Sequence, residues 1–354
     1  MSRITEFASS FQLSEPGTFL HSIDLDADQA VLFKTSRDLL AEASFVDGRS
    51  DIALTAPESV ELKELLNAPV GQECCDRYIF NVAFCGSTLL GRLLDVPGRS
   101  LVLKEPKCLT DLAAWKTLRR RSGRPTDGLG PALRMARHAL RRPFAAGEAV
   151  TVKAACWVNG MLEEFIGQAE KLLPLFVVID RPGFLRAVLR GGPERMGHTA
   201  RLAWHMASTS PADQELLKSA AHSAPDEVGR AANLAMLAHH LQMESFERAM
   251  RIGGWGNERV IDFDLIARSP IQAATKACHA LGLGLHQEER EHAVERHAGL
   301  HAKEPSIPFS TDELRGVDRS ITAFHRRSIE GALAWAQSAL GPEAAVRAGQ
   351  AAAA

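Results

Sequence analysis

The strongest constraint on the fold lies at residues 78–90. The run YIFNVAF (78–84) is rich in β-branched and aromatic residues and has the length of a buried strand. Gly86-Ser87-Thr88 follows, then apolar residues at 89, 90, 93 and 94 that share one face of a helix, until Asp95-Val-Pro97-Gly98 stops it. A strand, a glycine-bearing turn and a helix, in that order, offer a place to hold an anion. The first helical turn leaves backbone N–H groups without partners, the helix dipole adds partial positive charge, and Gly86 lets a phosphate approach the backbone. An ordinary N-cap by Ser87 accounts for the same residues without a ligand. The loop is not a Walker A loop: Asn81 stands where the first glycine belongs, and Ser87 where the lysine belongs.

Four more strand-like runs follow, at 101–103 (LVL), 150–154 (VTVKA), 175–180 (LFVVID) and 259–263 (RVIDF). Helical patterns fill the intervals and the remainder, at 111–121, 131–142, 158–171, 184–190, 194–206, 226–251, 271–282 and 318–340. Strands alternating with helices imply right-handed βαβ units. The expected fold class is therefore α/β, a parallel central sheet of about five strands under an extensive helical covering. Residues 1–75 are expected to be an N-terminal helical extension, with helices at 28–43 and 59–66. The core is expected over 76–342, and the Ala-rich 343–354 as a disordered tail.

Charge excludes some functions. The 354 residues carry 41 Lys+Arg against 43 Asp+Glu, a formal −2, so non-specific nucleic-acid binding is not the expected task and any anion must be met by a local patch. Nowhere do 18 apolar residues run together, so no membrane span is expected, and the first residues lack a long apolar leader run. Six cysteines at 74, 75, 85, 108, 156 and 278 form no CxxC pair. The expectation is a cytoplasmic, reduced chain. No metal is expected, since His297 and His301 have i, i+4 spacing but no obvious third ligand. Ten basic residues between 107 and 142 face only Asp111 and Asp127; a solvated face, an anion groove and a mobile lid all fit them. Trp157 and Trp204 fit either an acceptor pocket or the core.

The segment 83–90 (AFCGSTLL) resembles the 5′-phosphosulfate loop of the sulfotransferases, which carries (Lys/Arg)-Ser-Gly-(Ser/Thr)-Thr and takes 3′-phosphoadenosine 5′-phosphosulfate (PAPS) as donor. The resemblance implies a P-loop-type nucleotide-binding core. It also implies donor contacts from Phe84, Cys85, Gly86, Ser87, Thr88 and Leu89. Three features follow in the family's order. Glu105 lies 21 residues after Phe84, as the catalytic glutamate does in tyrosylprotein-type members, and would be the general base toward the acceptor hydroxyl or amine. Pro106 biases Glu105 toward an extended backbone. Lys153, at a strand end, would steady the transferring sulfuryl group. Arg181, after LFVVID, would grip the 3′-phosphate through its planar fork. The stretch 259–265, Pro270 and Ala280-Leu-Gly-Leu283 resembles a late structural marker of the family and extends the likeness from Tyr78 to Leu283. The implied partners are this nucleotide donor, used without a metal, and a small-molecule, sugar or peptide acceptor.

Two positions depart from that pattern. The loop's basic residue is Phe84, and the hydroxyl eight residues after the 3′-phosphate arginine is Leu189. Losing one charge-assisted contact costs about 1.5–3 kcal/mol, so another cation should compensate. The candidates are Lys104, Arg92, Arg186, Arg190 and Lys303, the last in a late loop of the kind the family folds over the nucleotide. A P-loop kinase and a non-catalytic binding relative are the rival readings.

Overall fold

Five buried strands build the centre of the molecule, and their sequences dictate their place. In the computed structural model, which describes residues 15, 17–67, 75–168, 171–208 and 210–342, the strands β4 (Asp76–Asn81), β5 (Ser100–Lys104), β6 (Ala149–Lys153), β7 (Leu172–Val178) and β8 (Val260–Asp262) form one sheet in the order β5-β6-β4-β7-β8. Every pairing in it is parallel. Such strands are covered on both faces and read as continuous apolar runs, which is why each was visible in the sequence. Tyr78, Phe80 and Phe176 stack across β4 and β7, with Phe165 and Phe246 closing on them edge-on or tilted.

The chain leaves β4 for β5, two places away, returns through β6, and crosses to β7 on the other flank. Strand order reverses at β4, and open α/β sheets bind ligands at the carboxyl end of such a switch point. The residues after β4 are 82–86. In the sheet β6 lies between β4 and β5, and so Lys153 stands between the glycine turn and Glu105. A buried amide network holds this spacing. The Asn81 side chain donates to the Ala154 carbonyl at 2.7 Å, and Asn159 donates to the Asn81 carbonyl at 3.0 Å.

The N-terminal portion differs from the helical expectation. Thr18–Asp24 (β1), Gln29–Lys34 (β2) and Glu58–Glu61 (β3) form an antiparallel sheet, and among the described residues of this portion the helices are the short Arg37–Glu42 and Leu62–Leu66. Asp24 turns the β1–β2 hairpin, its carboxylate accepting from the N–H groups of Asp26 and Ala27 at 3.0 Å, while Asp28 adopts φ 55°. Once that turn forms, the alternate burial of Ala30 and Leu32 favours a strand over the expected helix at 28–43. This sheet shares the apolar core of the rest of the described chain. The expected tail at 343–354 lies outside the described residues.

Helices cover both faces. Most lie within a few residues of their expected places, including Lys107–Arg121, Arg181–Arg190, Glu227–Gly253 and Pro270–Leu281. The single helix expected at 318–340 is two, Thr311–Phe324 and Arg326–Ala339, and the helices Pro211–His222 and Gln287–His297 were not foreseen.

Candidate active site

The turn after β4 is built as the sequence suggests. Gly86, at φ 78°, is the N-cap of the helix Ser87–Leu94, and no side chain caps that end. The N–H groups of the first turn thus remain directed out of the helix. Phe84 also has positive φ, 64°, an uncommon conformation for a bulky residue. A Cβ on Gly86 would stand 3.1 Å from the Phe263 ring, so a side chain there would be strained by the backbone and would press the ring to give by a few tenths of an ångström. The late marker stretch therefore packs directly beneath the cradle. Ser87 and Thr88 are buried, and burial pushes the Cys85 thiol up to about 11, which keeps it a neutral, unreactive neighbour. Leu89 is buried within the core.

The structure brings Glu105 and Lys153 together. Lys153 is buried at the end of β6, and its ammonium forms an ion pair with Glu105. The Glu105 N–H donates to the Lys153 carbonyl at 2.7 Å. The backbone is not extended, as the following proline suggested, but left-handed, at φ 61°. Its N–H is fixed to β6 and its carboxylate is held by two cations, and these ties offset a conformation that costs about 1–2 kcal/mol. The second cation is Arg49, whose Nη2 lies 3.0 Å from the other carboxylate oxygen. Arg49 itself is fixed by Asp47 at 2.6 Å and lies over the Phe45 ring at 3.7 Å.

Other cations gather on the same rings. Lys303 lies 5.4 Å from the Phe45 centroid and 5.9 Å from that of Phe84, and Lys153 lies 5.8 Å from Phe45. Arg195 sits over Phe84 at 4.9 Å. Burial and then the nearby Lys153 charge pull the Lys303 ammonium below the usual lysine value. Lys303 is carried on the hairpin of Leu300–His301 (β9) and Glu304–Pro308 (β10). Ser44 donates to the Lys303 carbonyl at 2.8 Å, and Arg92 to that of Ala302 at 2.6 Å, which fastens the hairpin over the site.

His198 completes one wall. Its ring meets Phe84 at 6.0 Å and Trp157 at 5.2 Å, and its Nε2 is 3.7 Å from the Cys156 sulfur. Burial, reinforced by Arg201, holds His198 below the usual histidine value. Trp204 is 41% exposed elsewhere and stacks under Arg121 at 3.8 Å.

Four of the five proposed compensating cations are committed to other partners. Lys104 is fully buried and donates to the Leu40 and Ala41 carbonyls, Arg92 is spent on Ala302 and Ser44, and Arg186 and Arg190 pair with Asp318. Lys303 alone of the five faces the cradle. Arg181 lies at the carboxyl side of β7, with its Nη1 donating to the Gly341 carbonyl at 2.7 Å and its Nη2 3.5 Å from His240 Nδ1. Asp180 caps Arg181's helix, accepting from the Gly183 N–H at 2.9 Å. Arg49, Arg195 and His198 escaped the sequence reading. Only the i, i+3 spacing of 195 and 198 hinted at a shared helix face.

Among the described residues, no group of three or more His, Cys, Asp or Glu is placed to hold a metal ion, and no helix is long and apolar enough to cross a membrane.

Two solved structures similar to this chain are both sulfotransferases. The sulfotransferase domain from the curacin biosynthetic pathway matches with a TM-score of 0.39 and 12% identity, over 72% of this chain and 92% of that one. Sulfotransferase STF9 from Mycobacterium avium matches with a TM-score of 0.36 and 12% identity, over 74% and 79%. No family model and no curated protein sequence matches the chain. Function is therefore read from the geometry of the site itself.

Proposed function

We propose that the protein is a sulfotransferase that moves a sulfuryl group from PAPS to a hydroxyl or amine. The observation that carries this reading is the meeting of a backbone anion cradle, a carboxylate and a buried lysine at the switch point of the sheet. The donor chemistry fits what stands there. The uncapped turn at 86–88 supplies N–H donors, and Lys153, Lys303, Arg49 and Arg195 outnumber Glu105 and Asp47 around it. A phosphosulfate brings the negative charge this surplus lacks.

PAPS supplies a sulfuryl group already joined to a good leaving phosphate. Glu105 takes the proton of the acceptor O–H or N–H as the acceptor atom bonds to sulfur. The bond from sulfur to the phosphate oxygen breaks, and adenosine 3′,5′-bisphosphate leaves. Lys153, the buried cation paired with Glu105, neutralises charge that develops on the transferring group and the bridging oxygen. Arg181 would receive the 3′-phosphate in place of the Gly341 carbonyl it now binds. Phe84, Trp157 and His198 would wall the acceptor side. The compartment is proposed to be the cytoplasm, and residues 76–342 are proposed to supply the cradle, Glu105 and Lys153.

Transfer of sulfur-35 from labelled PAPS into a panel of phenols, sugars and tyrosine peptides tests the assignment. Glu105→Gln is expected to lower transfer by at least about 10²-fold, the lower end of what a general base contributes, while adenosine 3′,5′-bisphosphate still binds. Unchanged transfer by that variant would remove Glu105 from the role.

A further inference from the structure

The departure at Phe84 leaves the cradle without the cation that the resemblance calls for, and the structure brings one from an unforeseen direction. Residues 45–49 lie in the connection from the helix Arg37–Glu42 to β3, outside the parallel core. They are held against the end of β5, where the Val46 N–H donates to the Lys104 carbonyl at 2.7 Å. The Lys104 ammonium donates to the Leu40 and Ala41 carbonyls just before them. Gly48, at φ 100°, allows the sharp turn that returns Arg49 toward the sheet.

The result is a chain of alternating charge, Asp47–Arg49–Glu105–Lys153. Phe45 lies at its centre. The Arg49 guanidinium, the Lys303 ammonium and the Lys153 ammonium all stand within 6 Å of that one ring. Three like charges around a ring that is only 7% exposed repel one another, and Glu105 is the one carboxylate that contacts two of them. An arriving dianion would relieve that repulsion. The Arg49 side chain remains 56% exposed, so it is open to such a ligand even while Asp47, Glu105 and the Phe45 ring hold it.

We propose that Arg49, delivered by the N-terminal sheet, replaces the missing basic residue of the loop and binds the 5′-phosphate end of the donor. Lys153 and Glu105 are thereby left to the transferring group and the acceptor. The N-terminal portion is then part of the donor site and not an appendage. This inference rests on the donor assignment above, and its test separates the two.

Binding of adenosine 3′,5′-bisphosphate and of adenosine 3′-monophosphate is measured by calorimetry on the full chain. The two ligands differ only in the 5′-phosphate. Wild type is expected to prefer the bisphosphate. Arg49→Gln is expected to shrink that preference by about tenfold or more, the worth of one charge-assisted contact, while Arg49→Lys retains most of it. A structural role alone would weaken both ligands alike and leave the ratio unchanged. An unchanged ratio in Arg49→Gln, with its melting temperature near wild type, overturns the role of Arg49 and leaves the donor assignment standing. A wild type that binds neither ligand overturns the donor assignment, and the role of Arg49 with it.

Discussion

Lys104 shows how a single residue can carry both structure and a pH signature. It is the Cα partner of Lys153 in the sheet, yet its ammonium ends against two carbonyls at the close of the helix Arg37–Glu42 and not on Glu105. Burial is the main cause that lowers its ammonium to about 8 from the ordinary 10.5, with Asp95 opposing the shift. The sign follows from proton linkage. Between pH 8 and 10.5 the unfolded chain holds more protons at this position than the folded one, so folding stability rises with pH across that window. Below pH 8 both states hold the proton, and the full cost of burying the charge is present. Chemical denaturation at several pH values should show wild type gaining stability relative to Lys104→Met from pH 8 to 10.5. Parallel curves would contradict the lowered value. The neighbouring positions explain why the site was only partly legible. Glu105 and Lys153 were singled out by the resemblance, whose order and spacing they match at the ends of recognisable apolar strands. Arg49 could not, because its position depends on how a separate sheet docks.

The elements around the site depend on a few buried polar ties. Asp76 opens β4, and its carboxylate pairs with Arg137 from the helix Leu129–Leu140, with Arg141 within 3.7 Å. The two side chains are 5% and 4% exposed. Removing one member leaves the other charged and buried, which costs about 3–5 kcal/mol, whereas replacing both with apolar residues is often neutral. Urea denaturation is expected to place Asp76→Ala that far below wild type, with Asp76→Leu/Arg137→Met well above the single variant. Equal losses in the two would show that the pair acts through packing alone. The five parallel strands were readable because burial on both faces leaves an unbroken apolar run. The N-terminal hairpin was not, although 18–24 (TFLHSID) contains the β-branched and aromatic residues of a strand. Its partner 29–34 (QAVLFK) runs into a helical segment, and only the aspartate turn between them separates the two patterns. The Gly86 turn was legible because its chemistry is local, while its contact with Phe263 spans the chain and was not.

At the scale of the whole molecule, the N-terminal three-stranded sheet and the five-stranded parallel sheet share one apolar core and meet, with the β9–β10 hairpin, at one set of charges. The formal −2 of the chain conceals this arrangement, because it sums over a local positive surplus at the cradle and the segments that close on it. Three conformations with positive φ, at Phe84, Gly86 and Glu105, lie on the same edge of the sheet. Strain of this kind persists only where surrounding contacts over-determine it, and it gathers at functional sites. The central claim is that this edge receives a nucleotide bearing 3′- and 5′-anions, and thermal unfolding with added nucleotide tests it most directly. Adenosine 3′,5′-bisphosphate at about 100 times its dissociation constant should stabilise the fold by about 2.7 kcal/mol and raise the melting temperature by several degrees. Mg-ATP should do so far less. Stabilisation by Mg-ATP with none by the bisphosphate, or by neither, would contradict the account.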